Sequence, residues 1–510
     1  MKRLDFVDKA FLLAESRETP MHVGGVNLFT LPRGADEQEF LHHLADKLRS
    51  SKDLQSPFGE RLKMGPLGLL GPASWAQDKS PDLDYHVRHS ALPKPGRYRE
   101  LFALASRLHG TLLDRNRPLW EMHLIEGLPN RQFAVYSKYH HAVIDGARAI
   151  HLTQSMFSAS ARTRVHESPL SVESQQRYRA MLEQQHPAAM RDAQLRNVAE
   201  ALKERFDSGV HVYSALQRAA NAWSGKGGAL TLPWQNVPRS SINTKVDGAR
   251  RFVAQSWPFA RIHTVGQALD GTFNDTVLAM CAGALRLYLQ NHGELPKQSL
   301  KAMVPVSLRR PGDIDSSNAV GAISADLATN IKDPGKRFAT IQASVQAGKE
   351  LFKGMKPQEA ALLLQMLQMP ALLLIPLGLL GRFPPYSTII SNVPGPRQPM
   401  YWDGARLDGM YPASIVSEGV ALNITLITYD KNVDFGIMAC RRIMPQVQRL
   451  IDYMEQSLVE LEDAAGLDKP RARRVASKKT SPKPKAKAKA KPKAKARPKA
   501  KRGPARRGGT

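Results

Sequence analysis

Apolar and polar positions alternate along this chain in two periods, and the switches between them predict an α/β fold. Residues 26–29, Val-Asn-Leu-Phe, read as a strand, and 37–48 carry helical periodicity. Residues 82–89 alternate like a strand, and 99–113 predict a helix with Leu101, Leu104, Leu108 and Leu112 spaced along it. Asn116-Arg117-Pro118-Leu119-Trp120-Glu121 turns into a strand over 122–125. Asn130-Arg131 then turns into 132–138, where aromatic and β-branched residues again suit a strand, and 147–157 reads as a helix.

From 168 the sequence becomes charged and Gln-rich, with helical stretches at 174–183 and 191–206, and Gly225-Lys226-Gly227-Gly228 closes it. A second α/β unit follows from 251. Thr272 is placed to cap a helix over 274–291, and 301–308 reads as a strand. Ser391-Asn392-Val393-Pro394-Gly395-Pro396 reads as a turn. A hairpin is expected over 421–429 and 433–440 around Asp430-Lys431-Asn432, with a last helix over 446–464. Residues 360–381 carry no charge for 22 positions, close to the length of a membrane span. Gln365, Gln368, Pro370 and Pro376 interrupt that run. The expectation is two helical segments around Pro370, buried or lying on a membrane surface.

Charge and cysteine content sharpen this picture. The net charge of +27 is concentrated in residues 469–510, which hold 19 Lys or Arg and no acid. The rest of the 510 residues is near +8. That Lys/Ala/Pro-rich end cannot bury a core and is expected to be disordered. Its charge would attract any polyanion, an anionic lipid surface or nucleic acid, but it has no aromatic residue to stack on bases. Cys281 and Cys440 make neither a disulfide framework nor a metal cluster, which fits a reducing cytoplasm. Asp5 and Asp8 interrupt the opening stretch, so no signal peptide is expected.

The candidate chemistry lies where the 132–138 strand gives way to the 147–157 helix, at His140-His141-Ala142-Val143-Ile144-Asp145-Gly146. A histidine pair can simply end a strand and an Asp-Gly simply turn a chain. The spacing adds a second reading, in which Asp145 fixes the loop while an imidazole takes a proton at neutral pH. The pattern His-His-x-x-x-Asp-Gly resembles the signature of the chloramphenicol acetyltransferase-like acyltransferases. Pro20-Met21-His22-Val23-Gly24, Pro118-Leu119-Trp120, Asn274-Asp275, Val304-Pro305-Val306-Ser307-Leu308-Arg309, Ser391 to Pro396 and Ala421-Leu422-Asn423-Ile424-Thr425 together look like the motifs of one branch. That branch is the bacterial wax ester synthase/acyl-CoA:diacylglycerol acyltransferases. Asp434-Phe435-Gly436 resembles a plant acyltransferase motif but is followed by Ile437-Met438 and reads as a strand.

The resemblance implies two chloramphenicol acetyltransferase-like domains (1–167 and 251–468) joined by a helical connector (168–250), with the active site on a channel between them. It implies transfer of a fatty acyl group from acyl-CoA, a co-substrate and not a resident cofactor, to a long-chain alcohol or diacylglycerol. By the family pattern His141 is the general base and no acyl-enzyme forms. His140 supports it, Asp145 orients the loop, and Gly146 permits a tight backbone. Asn274 would stabilise an oxyanion or position His141. Asp275 beside it also fits ordinary helix-start chemistry. Pro118, Leu119, Trp120, Ser391 and Asn392 would shape the channel or its frame. The lipid substrates imply a cytoplasmic protein working at a membrane or lipid-inclusion surface. A rival reading keeps the fold without the catalysis, as a lipid-body scaffold with a nucleic-acid-binding tail. A condensation-type acyltransferase with another acceptor is a further alternative.

Overall fold

A computed structural model describes residues 2–4, 6–66, 68–144, 146–164, 167–185, 209–307, 320–355, 357–374 and 378–467. The strands of the first half are β1 (Lys2–Arg3), β2 (His22–Thr30), β3 (Glu60–Gly65), β4 (Gly68–Gln77), β5 (Val87–Ala91), β6 (Trp120–Glu126) and β7 (Gln132–His140). Those of the second half are β8 (Arg250–Pro258), β9 (Lys301–Ser307), β10 (Val320–Asp326), β11 (Thr388–Pro394), β12 (Tyr401–Trp402), β13 (Ala405–Ala413), β14 (Leu422–Tyr429) and β15 (Asn432–Cys440). One six-stranded sheet runs β12-β13-β2-β7-β6-β5 and the other β10-β9-β11-β14-β15-β8, beside a small sheet β1-β4-β3.

Each large sheet buries its alternate residues under helices. In the first, Phe29, Phe133 and Val135 pack with Leu41, Leu44 and Leu48 of the helix Glu37–Arg49. In the second, the helix Phe273–Asn291 is buried along most of its length and packs against the helix Arg449–Ala464 through Leu278, Leu285, Met454 and Leu458. A third cluster joins the two halves: Val26, Leu28, Leu101 and Tyr136 meet Phe252, Ala254, Ala413 and Met438. Full burial of each Val, Leu, Phe or Met side chain here is worth about 1.5–3 kcal/mol.

The units expected over 1–167 and 251–468 interlock. β13, from the second half, pairs antiparallel with β2, Pro412 opposite Gly25 and Ala413 opposite Gly24. Asp434 and Gly436 of β15 hold it there. The Asp434 carboxylate accepts the Met410 N–H (2.7 Å) and the Ser256 hydroxyl (2.6 Å). Gly436 lets the backbones meet, since a Cβ on it would lie 1.7 Å from the Pro412 carbonyl oxygen. The Asp-Phe-Gly triplet is thus a strand, as its following residues predict, and it clamps the crossing strand.

Three expectations are corrected. Residues 82–89 do not form one strand: Asp82 accepts the Tyr85 N–H and caps a helical turn, Leu83–His86, before β5 begins. Ser391 to Pro394 is the end of β11, not a turn; pairing with β14 holds it extended. Residues 357–374 form one helix through Pro370. The bond that Pro370 cannot make would fall on the carbonyl of Met366, an exposed residue, and the Trp234 indole donates to the next carbonyl, Leu367 (3.0 Å). Among the described residues no helix is long and apolar enough to cross a membrane. The expected helix at 191–206 and the basic end, 469–510, lie outside the described residues.

Gly436→Ala should destabilise the protein by about 3 kcal/mol, because neither backbone can retreat without breaking a sheet. Urea denaturation checks this against Gly335→Ala, whose added methyl would meet its nearest neighbour at 3.5 Å and should change little.

Candidate active site

β7 delivers its last residue, His140, into the interior and leaves His141 half-buried just beyond it. The neighbouring strands grip both from opposite sides. The His140 N–H donates to the Leu119 carbonyl (3.0 Å), and the His141 N–H donates to the Met21 carbonyl (2.8 Å). The His141 ring lies on Phe11, centroids 4.1 Å apart and planes at 18°. Phe11 belongs to the opening helix, Phe6–Ala14.

The two imidazoles occupy different electrostatic settings. Nδ1 of His140 accepts the Ala142 N–H (3.0 Å), so its proton sits on Nε2. That nitrogen is 3.3 Å from Oε1 of Glu15, which follows the opening helix. The same oxygen lies 3.2 Å from Nε2 of His22 and accepts the Met21 N–H (3.3 Å). The other oxygen, Oε2, accepts from Arg115 at 2.9 and 3.2 Å. The Glu15 side chain is 2% exposed. Burial alone would raise its pKa, but the contacts with His140 and His22 hold it well below the usual carboxylate range. Burial pushes His22 down to about 4, so this ring is neutral at pH 7.

Lys138, two residues before His140, is also buried. Its ammonium donates to the Leu108 and Thr111 carbonyls (3.0 and 2.9 Å) and pairs with Glu121 at 3.2 Å. It thereby ties the end of the helix Tyr98–His109 to β7. Burial lowers its pKa, and Glu121 opposes the shift.

The other expected site residues fall into two groups. Pro118, Leu119 and Trp120 support β7 from behind. Leu119 and Trp120 are fully buried, and the Trp120 indole donates to the Phe58 carbonyl (2.9 Å) while its ring stacks on His86. Pro118 bridges to Arg61. In the second half, Asn392 on β11 donates from Nδ2 to Oδ1 of Asn274 (3.0 Å), bringing two separate motifs into contact. The Asn392 Oδ1 is buried with no partner among the described residues. Ser391 precedes it on β11, opposite Thr425. Asp275 is committed to the helix start: its carboxylate accepts from the Thr272 N–H (2.8 Å) and hydroxyl (2.7 Å), and its own N–H donates to the Thr272 hydroxyl. Asp145 lies outside the described residues, and Gly146 opens the helix Gly146–Ser155. That helix contacts β11, and its Ala149 packs on the same apolar cluster as Val393, next to Asn392.

Sequence reasoning missed Glu15, Arg115 and Phe11. The one trace in the sequence is that Glu15 falls four residues after Phe11, just beyond the apolar opening helix. No cluster of three or more His, Cys, Asp or Glu suited to a metal ion occurs among the described residues.

Comparison with known proteins identifies the family. Residues 4–277 match the family described as the wax ester synthase/diacylglycerol acyltransferase catalytic domain, and residues 316–462 match the WS/DGAT C-terminal domain. A probable diacylglycerol O-acyltransferase of Mycobacterium tuberculosis is 44% identical over 465 residues, covering 90% of this chain and 98% of that protein. The O-acyltransferase WSD of Acinetobacter baylyi is 38% identical over 459 residues, covering 90% and 96%. Among solved structures, the wax ester synthase/diacylglycerol acyltransferase of Marinobacter aquaeolei VT8 superposes with a TM-score of 0.71 at 37% identity, covering 92% of this chain and all of that one. A condensation domain of the CDA synthetase shares the fold at 17% identity and a TM-score of 0.54, covering 91% and 96%. The chain is therefore an acyltransferase of the wax ester synthase/diacylglycerol acyltransferase family, built on the two-domain fold that it shares with condensation domains.

Proposed function

We propose that this protein transfers a fatty acyl group from acyl-CoA to the hydroxyl of a long-chain alcohol or a diacylglycerol, with His141 as the general base. The observation that carries the proposal is the asymmetry of the histidine pair. His140 is buried and fixed by Ala142 and Glu15, whereas His141 is half-buried on the Phe11 ring. The alcohol oxygen attacks the thioester carbonyl as His141 takes its proton. The C–S bond then breaks, and the proton passes to the departing thiolate, giving an ester and free coenzyme A. No acyl-enzyme is needed, and no resident cofactor supplies any step.

In this reading Asn274 stabilises the developing oxyanion. Its Oδ1 is occupied by Asn392, and its Nδ2 group is left without a protein acceptor among the described residues. Asp145 orients the loop in this scheme. The substrates meet between the two α/β units, joined by residues 168–250 as a connector, and Leu119 and Trp120 act only by holding β7.

The lipid substrates also need a surface to be drawn from. Leu362, Met366 and Met369 are 45%, 42% and 53% exposed at i, i+4 and i+7 of the helix Pro357–Leu374, so they form one apolar stripe. Phe383 beyond the helix is 50% exposed. This stripe is the part of the protein that lies on a membrane or lipid inclusion, without crossing it.

Thiol release from palmitoyl-CoA in the presence of hexadecanol or a diacylglycerol, with the ester product identified, tests the reaction. His141→Ala should cost about 10²–10⁴-fold in rate, while His140→Ala keeps a measurable part; equal and mild losses at both would refute the base assignment. Activity should fall on acidification, because only the neutral imidazole accepts a proton.

Glu15→Gln should lower kcat by about 10–100-fold with little change in KM, because it relaxes the His140 side of the loop without touching substrate. A loss confined to KM would place Glu15 at substrate instead.

The triple change of Leu362, Met366 and Met369 to Glu should abolish flotation with triolein emulsions while leaving turnover of a short, water-soluble alcohol intact. Unchanged flotation would remove the stripe from the lipid contact.

A further inference from the structure

Base catalysis by His141 creates a positive charge where none stood before. Once the ring takes the alcohol proton it is an imidazolium, and it stays one until the proton passes to the thiolate. A neighbour that favours the charged ring over the neutral one speeds the reaction, because only an interaction stronger in the transition state than in the ground state lowers the barrier.

The neighbour on one face of that ring is Phe11, with centroids 4.1 Å apart and planes at 18°. An aromatic face carries the negative end of the ring quadrupole, so it attracts a cation held within about 6 Å of its centroid, and more strongly where water is excluded. A neutral imidazole in the same place gains packing but not this charge term. The ring also covers one face of His141, which is half-buried.

The surroundings keep the two rings at this spacing. Phe11 packs against the apolar cluster of Leu12, Leu119 and Ala142 and against that of Met21, Tyr139 and Ile144. Its helix, Phe6–Ala14, is tied down at three points. Lys9 donates to the Gly71 carbonyl (3.0 Å), Arg115 to the Leu12 carbonyl (2.7 Å), and the Thr19 hydroxyl to the Ala14 carbonyl (3.0 Å). On the other side the His141 N–H is fixed on the Met21 carbonyl (2.8 Å). The charged groups of this region are Asp8, buried one turn before Phe11, Lys9, turned to Gly71, and Glu15 with Arg115, which form an ion pair. His22, on the same Glu15 oxygen as His140, is neutral at pH 7.

We propose that Phe11 is a positioning residue that stabilises the imidazolium form of His141 through the face of its ring. The inference rests on His141 acting as the base. It makes the electron density of the Phe11 ring, and not only its shape, a determinant of the chemical step.

Replacing Phe11 in the full-length protein by phenylalanines bearing one, two and three ring fluorines tests this, because fluorine withdraws electron density from the face with little change in size. The reading is the single-turnover rate of ester formation from palmitoyl-CoA and hexadecanol, with KM measured alongside. The rate should fall stepwise with fluorine number, reaching about a fivefold to tenfold loss at three, while KM stays constant. Phe11→Leu should lose at least as much. In protein that also carries His141→Ala, the residual rate should not respond to fluorine. A flat fluorine series beside a loss in Phe11→Leu means that the ring acts by packing alone, and it overturns the proposal. So does a series that changes KM and not the rate. If His141→Ala itself costs little, the base assignment fails and this inference with it; if His141→Ala is nearly inactive and the series is flat, only this inference fails.

Discussion

A carboxylate taken out of water must find partners, and Glu15 is the point at which this protein meets that requirement. Arg115 takes one oxygen while His22 and His140 face the other, with the Met21 amide beside them. Removing one partner from such a buried set typically costs about 3–5 kcal/mol, because the remaining charge is left unsolvated. The cluster ties the opening helix, β2, the approach to β6 and the end of β7 to one another. The His140-His141 loop therefore inherits its position from an ion cluster behind it.

The second constraint is topological. Two strands from the second half complete the first sheet, and β13 is held between β2 and the Asp434-Phe435-Gly436 segment of β15. Burial raises the Asp434 pKa to about 6 even though Ser256 and the Met410 amide donate to it. A group that unfavourably placed is tolerated because it satisfies a backbone N–H at the crossing. The crossing also limits how far the two halves can separate, so the Asn274–Asn392 pair and the histidine loop belong to one connected frame through the helix Gly146–Ser155 and β11.

What was legible in the sequence was local. The alternation in β7, the periodicity of 37–48 and the Thr272 cap each depend on neighbours a few residues away, and each is found near where it was expected. The family motifs were legible too, and they led to the right branch. Asp82 misled because a capping side chain overrides alternation over so short a run. Ser391 to Pro394 misled because its turn-forming composition yields to pairing inside a sheet. Glu15, and the pairing of β13 with β2 across more than 370 positions, were not legible at all. Nothing local in a strand names its partner, and nothing local at a helix end says which acid there will be buried.

The opposed settings of His140 and His141 make the site a matter of parity. Successive residues at the end of a strand face opposite sides, so what distinguishes the two imidazoles is whether each falls on an even or an odd step from β7's first pairing with β2. One residue added to or taken from that strand would leave the motif intact. It would nevertheless turn the ring on Phe11 toward Glu15 and bring the locked one out. The length of β7 thus sets which histidine is locked and which is half-buried.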